Sequence, residues 1–162
     1  MYYQPEPIAA YIKCAPKPMR AVMYGIAETE TAQTGDPLQI VDCLTLKVYR
    51  PANPGAAIAI INALEKIGHP LAIGAFGLKT TNYQAWHITP LNALNACFSA
   101  RFAAKLVQKN VAWAWGAGYR GGMAQKMALA AYTVGHLTLN HGGLGYVNTV
   151  YYFSNQYNGA LS

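Results

Sequence analysis

Residues 18–31, PMRAVMYGIAETET, decide how this chain is read. At roughly 100° per residue, Met19, Val22, Met23, Ile26 and Glu30 fall in one narrow stripe. The spacing predicts an amphipathic helix with Pro18 in its first turn. Glu30 lies on the apolar stripe near the helix C-terminus, and Glu28 projects to the opposite face, toward water. Desolvation disfavours a charged carboxylate and raises its pKa, and a raised pKa makes Glu a usable general acid near neutral pH. Glu30 is the candidate catalyst on this reading, against a frayed last turn that leaves both glutamates solvated.

The chain has 162 residues, the length of one domain with a real core. Hydrophobic residues make up 53% of it and charged residues only 11%. Twelve Lys and Arg against six Asp and Glu give a formal charge of +6, and the sequence pI is near 9.3. The last acid is Glu65, whereas seven of the twelve basic residues lie at or beyond Lys66. A positive second half suits an anionic partner such as cell-wall glycan, nucleic acid or lipid headgroups. No run approaches the length of a membrane span, and the opening MYYQPEPIAAYIK lacks the basic-then-apolar pattern of a secretory signal. Cys14, Cys43 and Cys97 have no metal-ligand spacing, which leaves a pair plus one thiol, or three free thiols.

Outward from the central stretch, residues 1–17 read as an extended leader rich in Pro and Tyr. Residues 33–37 form a turn cluster, and residues 38–49 supply a short β-hairpin. Asn53 caps a helix over residues 55–67 with Pro54 at its first position, and Gly68 stops it. Residues 69–89 read as a structured loop. Helices follow over residues 90–110, broken near Cys97, and residues 122–139, with VAWAWGAGYRGG (residues 111–122) between them. The remainder, residues 150–162, is an aromatic tail on a single domain.

In order, these pieces resemble the lytic transglycosylases of conjugation and type IV secretion systems. Ile26-Ala27-Glu28-Thr29-Glu30-Thr31 is similar to that family's Ile-Ala-x-x-Glu-Ser helix end, and Gly77-Leu78-Lys79-Thr80-Thr81-Asn82 to its Gly-Leu-x-Gln-Ile-Asn. Cys97 before an alanine-rich helix, Tyr132-Thr133-Val134-Gly135, and Gly145-Tyr146-Val147 continue the series. The resemblance implies a mainly α (α+β), lysozyme-like soluble lytic transglycosylase fold with a small β-hairpin. It also implies a Cys14–Cys97 disulfide, with Cys43 left over.

By the same resemblance, Glu30 is the single catalytic acid and Thr31, Gly77, Leu78, Thr80, Asn82, Tyr132 and Tyr146 bind substrate. Tyr132 is placed against the Glu30 carboxyl or a sugar, and Lys79 and Arg120 near peptide-stem carboxylates. The implied substrate is the peptidoglycan glycan strand, cut between N-acetylmuramic acid and N-acetylglucosamine with no cofactor and no metal. Partners would be secretion-system or virion proteins, with a periplasmic, cell-envelope or virion location, no nucleic acid and no membrane span. Thr80 and Thr133 replace amides of the family's groove, and the competing reading is a degenerate module that binds glycan without cutting it.

Glycosidases normally use two carboxylates; after Glu30 the chain offers only Asp36, Asp42 and Glu65, with Glu65 read as a solvated helix face. A second one is therefore not expected unless Asp36 or Asp42 folds back, and a single-acid mechanism fits. Gly116-x-Gly118-x-x-Gly121 satisfies a dinucleotide fingerprint, but no acid follows to hold a ribose, so it reads as a turn. His136 and His141 lack further ligands nearby, and a Cys43 nucleophile would need His69 or His87 as its base. Binding of nucleic acid through the basic half is a third reading.

Overall fold

Helix α2 (Arg20–Glu30) runs through the middle of the molecule, after a single 3-10 turn at Lys17–Met19. The computed structural model describes residue 4 and residues 6–157. Met23 and Ile26 on the α2 stripe have no exposed surface. Helix α8 (Gly143–Ser154) lies along α2. A Cβ on Gly25 would stand 2.3 Å from the Val150 carbonyl oxygen, so glycine alone permits this approach of the two backbones.

Before α2, helix α1 (Ile8–Tyr11) and a 3-10 turn at Ile12–Cys14 fold onto the core. The expected extended leader is therefore corrected over its described part; residues 1–3 and 5 lie outside the described residues. Tyr11 and Ile12 are buried, and the Tyr11 hydroxyl donates to the Gly35 carbonyl at 2.9 Å. Burying apolar side chains of this size is worth about 1.5–3 kcal/mol each, which is why a stretch too short to be helical by itself takes regular form. The Cys14–Cys97 disulfide ties this segment to α6 (Ala96–Gly116), and Cys43 is free.

Strands β1 (Ile40–Asp42) and β2 (Val48–Tyr49) form the expected hairpin, with Ile40 opposite Tyr49. Helix α3 (Pro54–Lys66) starts as its sequence predicts: Asn53 accepts a hydrogen bond from the Ala56 N–H at 2.8 Å. The expected loop over residues 69–89 instead holds β3 (Leu71–Ile73), β4 (Leu78–Lys79), a 3-10 turn at Thr80–Asn82 and α4 (Tyr83–Trp86). Two glycines and a proline disguised two very short strands; Leu71, Ile73 and Leu78 are buried and give the sheet its inner face. The sheet is antiparallel in the order β2-β1-β3-β4, so the fold is mainly α with a small β element.

Helix α5 (Pro90–Leu94) is separated from α6 at Asn95, two residues before the expected break. Asn95 accepts from the Phe98 N–H at 2.8 Å and so restarts the helix as an N-cap. Helix α6 then continues through Trp113 to Gly116, beyond the expected end at residue 110. Ala100, Ala103, Ala104 and Val107 present a narrow buried face that lets neighbours come close. Helix α7 (Gly121–Val134) ends at Gly135, whose φ of 86° suits the residue after a helix. The aromatic tail is corrected to helix α8 as far as Ser154, and residues 158–162 lie outside the described residues. Buried Gly143, Val147, Val150 and Phe153 sit at helical spacing, and packing on α2 outweighs the low helix propensity of glycine and β-branched residues. No helix among the described residues is long and apolar enough to cross a membrane.

Candidate active site

Glu30 is the last residue of α2, where backbone carbonyls run out of helical partners. Those carbonyls are held by side chains that sequence reasoning missed. Gln39 Nε2 donates to the Glu30 carbonyl at 2.7 Å. Arg50 Nη2 donates to Gln39 Oε1 at 3.0 Å and to the Thr31 carbonyl at 3.3 Å. The available signal was Gln39 itself, a polar residue between Leu38 and Ile40 in an apolar run. Thr31 is fully buried; its hydroxyl donates to the Ala27 carbonyl and accepts from the Gly35 N–H, at 2.7 and 2.9 Å. Thr31 therefore shapes the helix end, and the expectation that it touches substrate is corrected.

The Glu30 carboxyl has a protein wall on each side. Oε1 accepts a hydrogen bond from the Tyr146 hydroxyl of α8 at 2.9 Å. On the other side, a Cβ built on Gly77 would come within 2.5 Å of Oε2, and Gly77 has a φ of +59°. Glycine is needed there twice, for its backbone conformation and for the space the carboxyl occupies. Burial pushes the Glu30 carboxyl up to about 7, against the opposing effects of the Tyr146 hydrogen bond and the Lys79 charge. Both Tyr132 and Tyr146 are raised well above 10, chiefly by burial and then by Glu30. They stay protonated near neutral pH and act as donors.

Tyr132 does not reach Glu30. Its hydroxyl donates to the Phe76 carbonyl at 2.5 Å, next to Gly77. Lys79 Nζ donates to the Thr133 carbonyl at 2.6 Å, close to the end of α7. These two bonds fasten the β3–β4 turn to α7 and thereby hold Gly77 against Glu30. Lys79 is thus occupied by the protein, and Arg120 is bound to the Trp115 and Tyr119 carbonyls, both at 2.7 Å, instead of facing the groove.

Gly77 leads into an open groove of about 300 Å³ between the β4 side of the sheet and helices α6 and α7. Gly77, Leu78, Lys79, Asn82 and Tyr132, singled out from the sequence, line it; Trp86, Lys109, Asn110 and Trp113 join them without having been anticipated. Leu78 is 1% exposed and contributes mainly backbone. Thr80 is absent from the lining: its hydroxyl accepts from the Leu71 N–H at 2.9 Å and stitches the 3-10 turn to β3. Tyr146 meets Glu30 from α8, and both lie behind Gly77, outside the groove lining.

The other acids are placed for different work. Asp42 is buried, and burial alone would raise its pKa; the bonds from His69 and from the Leu44 and Thr45 N–H groups outweigh this and hold it down at about 2. Its Oδ2 lies 2.6 Å from His69 Nδ1. Asp36 Oδ1 accepts from the Leu38 N–H at 2.9 Å in a turn. Each is bonded within its own turn, and neither lines the groove. Glu28 is buried at 9% exposure, and burial raises its carboxyl, which corrects the expectation that it faces water. The cause is that α2 is covered both by α8 and by the folded N-terminal segment. Burial also pushes the Cys43 thiol up, the opposite of what a nucleophilic thiolate needs.

The site thus offers one carboxyl that exchanges a proton near neutral pH, one phenol bonded to it, and beyond Gly77 a groove with aromatic walls and no acidic lining residue. A carboxyl with such a pKa can give a proton to a leaving group and take one back. Comparison with protein-family models, with curated proteins and with solved structures finds no match to this chain.

Proposed function

We propose that this protein is a lytic transglycosylase that cuts peptidoglycan glycan strands with Glu30 as its single acid and base. The observation that carries the reading is the Glu30 carboxyl, raised to about 7, bonded by Tyr146 and packed against Gly77, which itself lines an open groove. The protonated acid gives its proton to the oxygen linking N-acetylmuramic acid to N-acetylglucosamine, and the C1–O bond breaks. The substrate's acetamido group stabilises the cation left at C1. The muramyl 6-hydroxyl then attacks C1, and its proton passes to the Glu30 carboxylate, which closes the anhydro ring and restores the acid. No water is consumed, so no second carboxylate is required to activate one. A pKa near the working pH suits a group that must both give and accept a proton, and such a group contributes about 10²–10⁴ in rate.

Trp86 and Trp113 supply flat apolar faces for sugar rings, and Asn82 and Asn110 supply amide donors and acceptors along the groove. The proposed work is local opening of the cell wall at a secretion, conjugation or virion assembly in the cell envelope. A second reading, binding of glycan without cleavage, is favoured by one observation. Thr80, which replaces a groove amide, spends its hydroxyl on the Leu71 backbone. Clearance of a suspension of purified sacculi separates the two. The wild type is expected to clear it and Glu30→Gln to slow clearance by at least about 10², with sedimentation onto sacculi retained. Binding by both forms with clearance by neither establishes the second reading.

A further inference from the structure

Helices α6 and α7 form a hairpin whose connected end carries its own small cluster, separate from the main core. Ala114, Ala124 and Met127 pack there, with Tyr119, Leu137 and Leu139 against them. At the end itself Trp113, Trp115 and Met123 are 47%, 53% and 44% exposed. A Cβ built at Gly116, Gly118, Gly121 or Gly122 meets nothing within 4 Å, so the connecting turn stands in the open. Two indoles on the last turn of α6 and a methionine on the first turn of α7, all left this bare, are unusual unless something apolar receives them.

The charges follow a matching order. The two helices carry Arg101, Lys105, Lys109 and Lys126, the turn between them carries Arg120, and none of these segments holds an acid. Lys109 lies seven residues before Gly116, and Lys126 five residues after Gly121. At 1.5 Å per residue these lie about 10 and 7.5 Å back from the tip along the helices. An apolar, aromatic end with cations about 7.5–10 Å behind it, and with Arg120 of the turn held to the Trp115 and Tyr119 carbonyls, has the layering of a membrane interface: acyl boundary first, anionic headgroups next. A nucleic-acid platform relies on stacking rings, whereas the tip also exposes the flexible apolar side chain of Met123.

We infer that the α6–α7 tip docks on an anionic lipid bilayer, with Trp115 and Met123 entering the interface and Lys109 and Lys126 meeting headgroup phosphates. Tryptophan belongs at that boundary because its ring is apolar and its N–H is not. Trp113 sits on the groove wall and on the tip at once, so docking sets one end of the groove at the membrane surface.

Co-sedimentation of the full chain with phosphatidylcholine vesicles, with and without about one third phosphatidylglycerol, tests this. At roughly 1 kcal/mol per cation near the surface, affinity is expected to be at least tenfold higher for the anionic vesicles and to fall with salt. Brominated lipids are expected to quench the tryptophan emission. Trp115→Ser with Met123→Ser should weaken binding about tenfold, and Lys109→Gln with Lys126→Gln should abolish the anionic preference, each with the wild-type circular dichroism. The lysine pair and the quenching decide the matter even if the first variant fails to fold. Absent binding, equal affinity for the two vesicle types, no quenching, or an unchanged lysine variant would overturn the inference. So would binding to a DNA duplex alone, lost in the lysine variant.

Discussion

Replacing Glu30 by Gln is expected to stabilise the fold, by an amount that depends on pH. The folded carboxyl titrates at about 7, against 4.5 for an ordinary glutamate. Between those values the folded protein keeps a proton on Glu30 that the unfolded chain releases, so stability falls as pH rises through the window. It is lowest above pH 7, where the folded state must hold a desolvated carboxylate. The shift corresponds to about 3 kcal/mol at 1.36 kcal/mol per unit. Partial exposure of Glu30 lowers the expected figure to about 1–3 kcal/mol. Glutamine keeps an oxygen to accept the Tyr146 hydroxyl and carries no charge to desolvate. Thermal unfolding followed by circular dichroism should show wild type and Glu30→Gln nearly coincident close to pH 4. The variant should melt about 3–10 °C higher above pH 8. Other titrating groups contribute equally to both proteins and cancel in the difference. A difference that is flat with pH, or a variant less stable at high pH, would show Glu30 to be an ordinary solvated glutamate and refute the reasoning.

Gly77→Ala forces a methyl against the Glu30 carboxyl at a φ of +59°. It should cost about 1–3 kcal/mol in stability and about 10² in clearance of sacculi through displacement of the acid; wild-type clearance would disprove the contact. Lys79→Met removes a charge that lowers the Glu30 pKa, so the alkaline fall in clearance rate should move to higher pH, while Lys79→Arg keeps the wild-type profile. A profile unmoved by Lys79→Met would contradict that electrostatic role. Cys14→Ser with Cys97→Ser opens a crosslink between residues 83 positions apart. By loop-closure entropy this should lower stability by about 4 kcal/mol, and denaturant midpoints equal to wild type would count against it.

The helix carrying Glu30 was legible because its side chains repeat at helical spacing, and the third helix because Asn53 and Pro54 announce its start. The hairpin at β1–β2 was legible from its β-branched run. What the sequence concealed is set by contacts distant along the chain. Strands of two or three residues, such as Leu78–Lys79, carry too few positions to show a period of two. Helix α8 has the apolar spacing of a helix, but its glycines, valines and tyrosines mask it until α2 supplies the opposing face. At the site, Glu30, Gly77 and Tyr146 were named from sequence, and the structure brings all three together. Thr31 and Thr80 were misplaced because a hydroxyl serves a backbone as readily as a ligand. Glu28 was misread because one helix face does not report a second layer of protein over the other. Gln39, Arg50, Trp86 and Trp113 join the site through the fold alone, from segments that say nothing locally of Glu30.

Mass spectrometry of the soluble fragments released from purified sacculi tests the central claim most directly. Wild-type protein is expected to release fragments ending in 1,6-anhydro-muramic acid, and Glu30→Gln to release none while remaining folded. Reducing ends in place of anhydro ends would make the protein a hydrolase, and equal release by the variant would remove Glu30 from the chemistry. Either result, or no release by the wild type, would contradict the account.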